Sequence, residues 1–261
     1  NKALIAKHGH YLALLAEEQK VCLSFEAAVA GGIPIIKVIK DSLSANSISK
    51  VYGIINGTCN YILTQMEKEE KEYLDVFKEA QRLGYVETDP TLDVGGIDTA
   101  HKISILSSVA FGTRISFENV ITSGIQNISL VDIKNADSMG YKIKLIALAL
   151  KEDDGIIQEV EPCLVPKDSI FGKLEGGTNL VMIEGDFSER TYYIGQGAGS
   201  GPTASSVAAD VVNIANGNIS NVFGINAKLL KLPVKKKKEV PSSFYLRFML
   251  DDKPGTLSQL S

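Results

Sequence analysis

Apolar and polar positions at the start of the chain follow two different periods. Residues 3–19 repeat apolar side chains at helical spacing, and the run VCLSFEAAV at 21–29 is typical of a buried strand. Two glycines and a proline within 31–34 end that run. We therefore predict a helix followed by a strand, the closing part of an α/β domain.

The following elements are not spaced as regular strand–helix pairs. We predict further strands at 49–57, 141–151, 179–184 and 191–195. We predict further helices at 35–43, from 58 to 66, within 67–84, at 97–112 and at 205–217. This order favours an α+β region built on a mixed sheet. A strand, a turn and the start of a helix are expected at 244–260, after a linker at 228–243 that contains the run KKKK.

The charged helix within 67–84 needs an apolar stripe to pack against the rest of the domain. We assign that stripe to Leu74, Phe77, Ala80 and Leu83. Gly84 follows directly and is a natural residue to end the helix, since glycine adopts the left-handed conformation without strain.

Composition narrows the class of protein. The 261 residues are 44% hydrophobic and 22% charged, with a net charge of −4, which disfavours nucleic acid or an anionic membrane as the main partner. The three cysteines lack metal-site or disulfide-framework spacing, so reduced thiols and a cytoplasmic location are expected. We find no membrane span or signal peptide. The chain begins at Asn1 in a helical pattern, so a truncated or processed fragment is expected.

A polar loop and the helix after it carry the strongest chemical signal. Glu87, Asp89 and Asp93 precede Asp98, and Lys102 lies one helical turn beyond Asp98. One interpretation is an acidic helix start with an ordinary ion pair. The other is a cleft in which carboxylates bind an ammonium group and the lysine acts on a carboxylate or a reacting oxygen.

Two glycine-rich segments carry weaker signals. FEAAVAGGIPII at 25–36 allows close approach of another group, and GQGAGSGPTASSVAAD at 195–210 leads from a strand into a helix. A tight strand-to-helix turn is the favoured explanation of the first segment. The second does not satisfy GxGxxG, and a close-packed turn explains it as well as a cofactor contact does. We find no dinucleotide fingerprint elsewhere in the 261 residues.

Taken in order, several motifs resemble the homoserine dehydrogenase catalytic region. They are NKAL at 1–4, FEAAVAGGIPII at 25–36, GIINGTCNYIL at 53–63, LGYVETDPTLDVGGIDTAHKI at 83–103 and GAGSGPTASSVAAD at 197–210. In addition, DDKPGTLSQL at 251–260 resembles the opening of an ACT domain.

The resemblance implies a combined α/β and α+β fold in five parts. These are a C-terminal remnant of a Rossmann-type nucleotide-binding domain (1–33), a substrate-binding and dimerisation domain with a mixed sheet (34–196), a helix returning to the nucleotide domain (197–227), a linker (228–243) and the start of a truncated ACT domain (244–261).

The resemblance also implies the reduction of L-aspartate 4-semialdehyde to L-homoserine, on the route to threonine, methionine and isoleucine. Lys102 would give a proton to the aldehyde oxygen. Glu87 and Asp98, with Asp93, would bind the substrate, and Glu87 would take its ammonium group.

NADP or NAD is the implied cofactor, and the preference between them stays open. Lys2, Gly84, Glu87 and Gly199 would lie against it. Because Lys2 also approaches the reacting oxygen, the choice between Lys102 and Lys2 as acid and base stays open.

A monovalent cation, with sodium the expected ion, is the second implied cofactor. Main-chain oxygens of Glu26, Val29, Gly31 and Ile33 would bind it and fix the junction between domains.

The family's glycine-rich nucleotide turn is not found in these residues, so the fragment is expected to be inactive alone. A homodimer is expected, with threonine as a possible effector of the parent protein. The alternative function is a non-catalytic, dimerising module that binds an amino acid and regulates another protein.

Overall fold

A mixed sheet forms the centre of the molecule. The computed structural model describes residues 1–84, 91–218, 220–235 and 243–250. Within these ranges the strand order is β2-β4-β3-β1-β5-β6, and β2 is parallel to β4 while the other neighbours are antiparallel. The strands are β1 (Ile48–Ile54), β2 (Ile121–Thr122), β3 (Tyr141–Glu152), β4 (Gly155–Pro166), β5 (Thr178–Gly185) and β6 (Glu189–Gln196). The predicted mixed sheet is confirmed.

The helices are α1 (Lys2–Glu18), α2 (Ile35–Lys37), α3 (Gly57–Glu69), α4 (Tyr73–Arg82), α5 (Thr91–Val94), α6 (Ile97–Phe111), α7 (Leu130–Ser138) and α8 (Ser200–Ala215). A π-helical turn, Val38–Ser42, extends α2. Among the described helices, none combines the length and apolarity that crossing a membrane requires.

Helix α6 is the core helix of the fold. It packs between α1 on one side and strands β1, β3 and β4 on the other, so nearly its whole surface is buried. Alternate residues of β3, such as Leu145, Ala147 and Ala149, join the same core. A smaller apolar cluster, containing Ile54 and Ile146, covers the opposite face of the sheet.

The predicted strand at 21–29 is wrong. Residues 21–25 form no regular element, and Glu26–Ala28 forms a 3-10 turn. A strand needs a neighbour to share its ladder, and no described strand pairs with this segment. Side-chain bonds hold it instead: the Glu26 amide donates to Asp210 Oδ2 at 3.0 Å, and the Glu26 carboxylate accepts from the amides of Ile36 and Lys37 at 2.8 and 2.9 Å.

The predicted stripe of α4 is partly wrong. Phe77 and Ala80 pack inward, but Leu74 and Leu83 are 64% and 48% exposed. Val76 takes the buried position, because α4 turns a slightly rotated face toward α3. As predicted, the helix gives way to a left-handed Gly84, with φ +77°.

Sequence reasoning missed β2, β4, α5 and α7. Strand β4 is buried along both faces at 156–160, so it shows no simple alternation, and Gln158 within it is 4% exposed. Helix α7 is short and begins with a capping box between Ser129 and Asp132. Helix α8 also begins earlier than predicted, at Ser200.

The predicted strand at the end of the chain is wrong for residues 244–250, which form no regular element, and residues 251–261 lie outside the described residues. Side chains fix this segment to α7. Arg247 Nε and Tyr245 Oη donate to Asp132 Oδ1 at 2.7 and 3.0 Å. These bonds replace the ladder that a strand would need.

A buried lysine fastens the loop before β5 to the sheet. Lys144 of β3 is 2% exposed, and its ammonium donates to Asn60 Oδ1 at 2.8 Å and to the Leu174 carbonyl at 2.6 Å. The Asn60 amide donates to the Gly176 carbonyl at 2.8 Å. Burial, and secondarily the charge of Lys142, lowers the pKa of Lys144 to about 8.

We predict that Lys144→Met changes how stability depends on pH. Because the pKa is lower in the folded protein, the unfolded chain binds more protons between pH 8 and 10.5. The stability of the wild type relative to Lys144→Met should rise across this window by up to about 3 kcal/mol. Urea unfolding at each pH measures it, with the exposed Lys151→Met on the same strand as control. A difference that is flat with pH would contradict the prediction.

Candidate active site

One end of the sheet brings together residues from α1, α6 and the end of β1. In the antiparallel arrangement, β1 ends where β5 begins and β6 ends. Helix α6 starts at the same end, and its first turn carries Asp98. The first residue of α1, Lys2, reaches this carboxylate. We call Lys2, Asp98 and Lys102 the ion cluster.

Asp98 lies between the two lysines of the ion cluster. Its Oδ1 is 2.8 Å from Lys2 Nζ, and its Oδ2 is 2.7 Å from Lys102 Nζ. Lys102 also donates to the carbonyl of Ile55, just beyond β1, at 2.9 Å. The side chains of Asp98 and Lys102 are 8% and 13% exposed, and that of Lys2 is 41% exposed. One carboxylate thus holds a partly buried and a half-exposed ammonium group.

The lysines keep Asp98 ionised despite its burial. Burial by itself favours the neutral acid, but the charges of Lys102 and then Lys2, with their hydrogen bonds, outweigh it. The pKa of Asp98 therefore lies below its ordinary value. The predicted contact between Asp98 and Lys102 is confirmed.

Burial favours the neutral form of two other ionisable side chains nearby, Cys59 and His101. Burial, and secondarily the charge of Asp93, raises the pKa of the Cys59 thiol, so the thiol stays protonated. Burial lowers the pKa of His101, whose ring packs against Phe117 with centroids 4.3 Å apart. Burial thus favours the neutral form of both groups, whereas the two lysines keep Asp98 charged.

A groove of about 830 Å³ opens beside the ion cluster. Its walls come from the start of α1, the segment 22–28, the first turn of α6 and one side of α8. Polar groups on these walls are Asn1, Lys2, Ser24, Asp93, Asp98, His101, Thr203 and Asp210. The structure therefore places three predicted site residues, Lys2, Asp93 and Asp98, along one groove, with Lys102 bound to the last.

The two glycine-rich segments pack against each other. A side chain at Gly31, which has φ +26°, would place its Cβ 2.7 Å from the Gly197 carbonyl oxygen. Ser206 Oγ of α8 donates to the Gly31 carbonyl at 2.6 Å. Gly199 precedes α8 with φ +110°, and no side chain caps the helix. The glycines at 31 and 197 thus allow two backbone segments to approach closely. Close approach of another group to the segment 25–36 was one of the two interpretations of its glycines.

The remaining predicted residues divide into two groups. Glu87 and Asp89 lie outside the described residues. Gly84 is neither on the walls of the groove nor bonded to the ion cluster.

Sequence reasoning missed two residues at the end of β1, Ile55 and Asn56. The Asn56 amide donates to Asp98 Oδ2 at 3.4 Å, and its Oδ1 accepts from the Cys59 amide at 2.8 Å. An asparagine directly before a helix is a known capping signal. The Ile55 contact uses a backbone oxygen, which no side-chain pattern reveals.

Comparison with known proteins places this geometry in a family. The sequence profile of the homoserine dehydrogenase family matches residues 34–212. The chain belongs to this family. It is 44% identical to the homoserine dehydrogenase of Pseudomonas aeruginosa over 269 aligned residues, and 42% identical to that of Helicobacter pylori over 261. Both alignments cover the whole of this chain but only 62% and 61% of those relatives.

Solved structures of homoserine dehydrogenases share the fold. That of Thiobacillus denitrificans superimposes with a TM-score of 0.86 at 43% identity, over 89% of this chain and 56% of that one. A hyperthermophilic archaeal homoserine dehydrogenase mutant in complex with NADPH gives a TM-score of 0.73 at 30% identity, over 85% of this chain and 64% of that one. The α/β fold and the oxidoreductase family predicted from sequence are confirmed.

We predict that Asp98→Asn destabilises this homoserine dehydrogenase chain by about 3 kcal/mol near pH 7, because two ammonium groups lose their shared partner. The folded pKa is lowered, so the contribution is present above the unfolded value of 3.8 and is lost as pH falls through the folded value. Urea unfolding of both forms between pH 7 and pH 3 measures it.

The matched control is Asp137→Asn, which removes an exposed ion pair with Lys167. That change should cost less than about 1 kcal/mol. Equal costs at the two positions would show that the ion cluster is an ordinary surface pair.

Proposed function

We propose that this chain is the substrate-handling part of an enzyme that reduces L-aspartate 4-semialdehyde to L-homoserine, on the route to threonine, methionine and isoleucine. The observation that carries the proposal is the ion cluster, in which a buried carboxylate holds two lysines beside a groove. Its location in a homoserine dehydrogenase domain supports this reaction.

Lys102 is the proposed acid. Reduction of an aldehyde leaves an alkoxide that needs a proton, and a lysine ammonium is a suitable donor. Asp98 and Ile55 engage two of its three N–H groups, and the described residues leave the third for a substrate oxygen. Lys2, bound to the other oxygen of Asp98, is more exposed and is proposed to face the cofactor. In homoserine oxidation the proton moves in the opposite direction.

Asp98 and Asp93 are proposed to bind the substrate from the wall of the groove. Glu87, which lies outside the described residues, is proposed to bind the substrate ammonium on the basis of its motif alone. Carboxylates suit this role because their hydrogen bonds to an ammonium are charge-assisted.

NADP or NAD is the proposed cofactor, and it would supply the hydride when bound. The first turn of α8 fits such a group: Gly199 leaves the backbone accessible, and no side chain caps the helix. Lys2 and the groove lie beside the same end of the sheet. Gly84 and Glu87 are kept as cofactor contacts from the motif only.

A sodium ion is proposed to bind the main-chain oxygens of Glu26, Val29, Gly31 and Ile33. The turn is sharp, because Ala30 and Gly31 have φ values of +53° and +26°. Among the described residues no cluster of three His, Cys, Asp or Glu side chains could hold a metal. Backbone carbonyl oxygens, which carry two lone pairs each, suit a hard cation.

We also propose a cytoplasmic homodimer, and keep the five-part division of the chain and threonine as possible effector of the parent protein. The bonds from α8 to the turn at 26–31 support the view that 197–227 returns to the first segment. The homodimer is kept from the family motifs alone.

We predict that Lys102→Ala in the full-length protein lowers kcat by about 100- to 10,000-fold, the usual contribution of a general acid. The Kd for NADPH should change little, because the ammonium acts on the reacting oxygen. Steady-state kinetics and titration calorimetry measure the two effects, with the partly exposed Lys167→Ala as control.

Lys2→Ala separates the two lysines of the ion cluster. It should weaken NADPH binding more than Lys102→Ala does and reduce kcat less. If Lys2→Ala caused the larger loss of kcat, the roles of the two lysines would be exchanged. Normal turnover in both variants would contradict the proposed acid–base chemistry.

We predict that Glu87→Gln lowers kcat/KM for aspartate semialdehyde while the protein stays folded. A neutral amide loses a charge-assisted bond to the substrate ammonium, worth roughly 1.5–3 kcal/mol. Kinetics and thermal unfolding together test this. Loss of the fold without a selective kinetic defect would make Glu87 a structural residue.

A further inference from the structure

Asn56 connects the end of β1 to both α3 and the ion cluster. The residue is 3% exposed and lies directly before α3. Its Oδ1 accepts from the Cys59 amide at 2.8 Å and so caps the helix. Because that bond fixes the amide plane, the side-chain NH₂ group faces one direction only, and it donates to Asp98 Oδ2 at 3.4 Å.

Ile55, which precedes Asn56 in the chain, contacts Lys102, the second member of the Asp98–Lys102 pair. The carbonyl of Ile55 accepts from Lys102 Nζ at 2.9 Å. Strand β1 lies inside the sheet and pairs with β3 on one side and β5 on the other, so its end is held on both sides. Two consecutive residues directly after β1 therefore contact both members of the Asp98–Lys102 pair.

This arrangement constrains the carboxylate of Asp98. Its Oδ1 is bound to Lys2, and its Oδ2 receives both Lys102 and the Asn56 amide. The Asn56 bond opposes rotation of the carboxylate about its last torsion, a soft coordinate in aspartate. A rotated carboxylate would move Lys102 away from the Ile55 carbonyl and redirect its remaining N–H.

We propose that Asn56 is a positioning residue for the reaction: it orients Asp98, which lies on the wall of the groove, and through Asp98 it fixes the direction of the Lys102 N–H that neither Asp98 nor Ile55 engages. This inference rests on the proposed function, since it assigns Lys102 the role of acid. Asn56 acts through Asp98 and needs no contact with substrate or cofactor.

A purely structural role as the cap of α3 is the competing explanation. Asn56→Ser and Asn56→Asp separate the two, because serine and aspartate are good capping residues. Both substitutions remove the NH₂ donor. Asn56→Asp also places a second carboxylate beside Asp98, whereas Asn56→Ser adds no charge.

The experiment measures kcat, KM and pH dependence of homoserine oxidation in the full-length protein, alongside urea unfolding. Asn56→Ser should lower kcat about 10- to 100-fold, the scale of loss for a misplaced catalytic group, and should raise KM for homoserine by a smaller factor, because Asp98 is also proposed to bind the substrate. Asn56→Asp should lower kcat similarly and also shift the ascending limb of the pH profile to higher pH. The shift follows because an added carboxylate favours the charged form of a nearby lysine, which must be neutral to accept a proton.

Asn226 supplies the matched control. It is exposed, and its side chain caps the short 3-10 segment Ala227–Leu229 by accepting from the Lys228 amide at 3.0 Å. Asn226→Ser and Asn226→Asp repeat both changes at a cap outside the ion cluster. They should leave kcat and the pH profile unchanged.

A measurement independent of activity completes the test. The loss of stability caused by Asp98→Asn should be smaller in the Asn56→Ser background than in the wild type, because the two side chains are coupled. Wild-type kcat and pH profile in both Asn56 variants would overturn the proposal, as would kcat losses explained by unfolding alone. If the wild type oxidised no homoserine, or Lys102→Ala kept normal turnover, the proposed function would fail instead, and the coupling would still report whether Asn56 orients Asp98.

Discussion

The fold around the candidate site depends on one electrostatic constraint. Asp98 carries a charge at the start of α6, a helix buried on nearly all sides, and an unpaired charge there would be very costly. Helix α6 is therefore compatible with this packing only if cationic groups reach its first turn. Lys102 comes from the same helix, but Lys2 comes from the first residue of α1. The ion cluster thus ties the packing of α1 to that of the central helix.

The same constraint explains why the site lies at the end of β1. A second N–H of Lys102 donates to the carbonyl of Ile55, just beyond the last residue of β1 that pairs with β5. A carbonyl within the ladder would already be bonded to a neighbouring strand. The end of a central strand therefore offers both an available oxygen and a rigid position, which a surface loop would not.

The sequence predicts contacts between residues that are close in the chain better than contacts that depend on the tertiary fold. The pairing of Asp98 with Lys102 is set by helical spacing alone, so it could be predicted from two letters four positions apart. The run at 21–29 has strand composition, but a strand depends on a partner, and side-chain bonds from Asp210 and Glu26 hold the segment in another form. The role of the Ile55 carbonyl could not be predicted, because a backbone oxygen has no signature in the sequence. Asn56 carried a local capping signal, yet its second bond, to Asp98, depends on the tertiary fold.

The glycine-rich segments show how two weak signals become one strong constraint. A tight turn explains each segment by itself. In the structure, however, the Gly197 carbonyl lies where a side chain at Gly31 would be, so contact with the second segment excludes a side chain at Gly31. Their contact draws the first turns of α8 toward the residues after α1, and α8 then forms one wall of the groove whose other side carries Asp98. Backbone approach at the glycines and charge pairing at the ion cluster therefore position residues on opposite sides of the same groove.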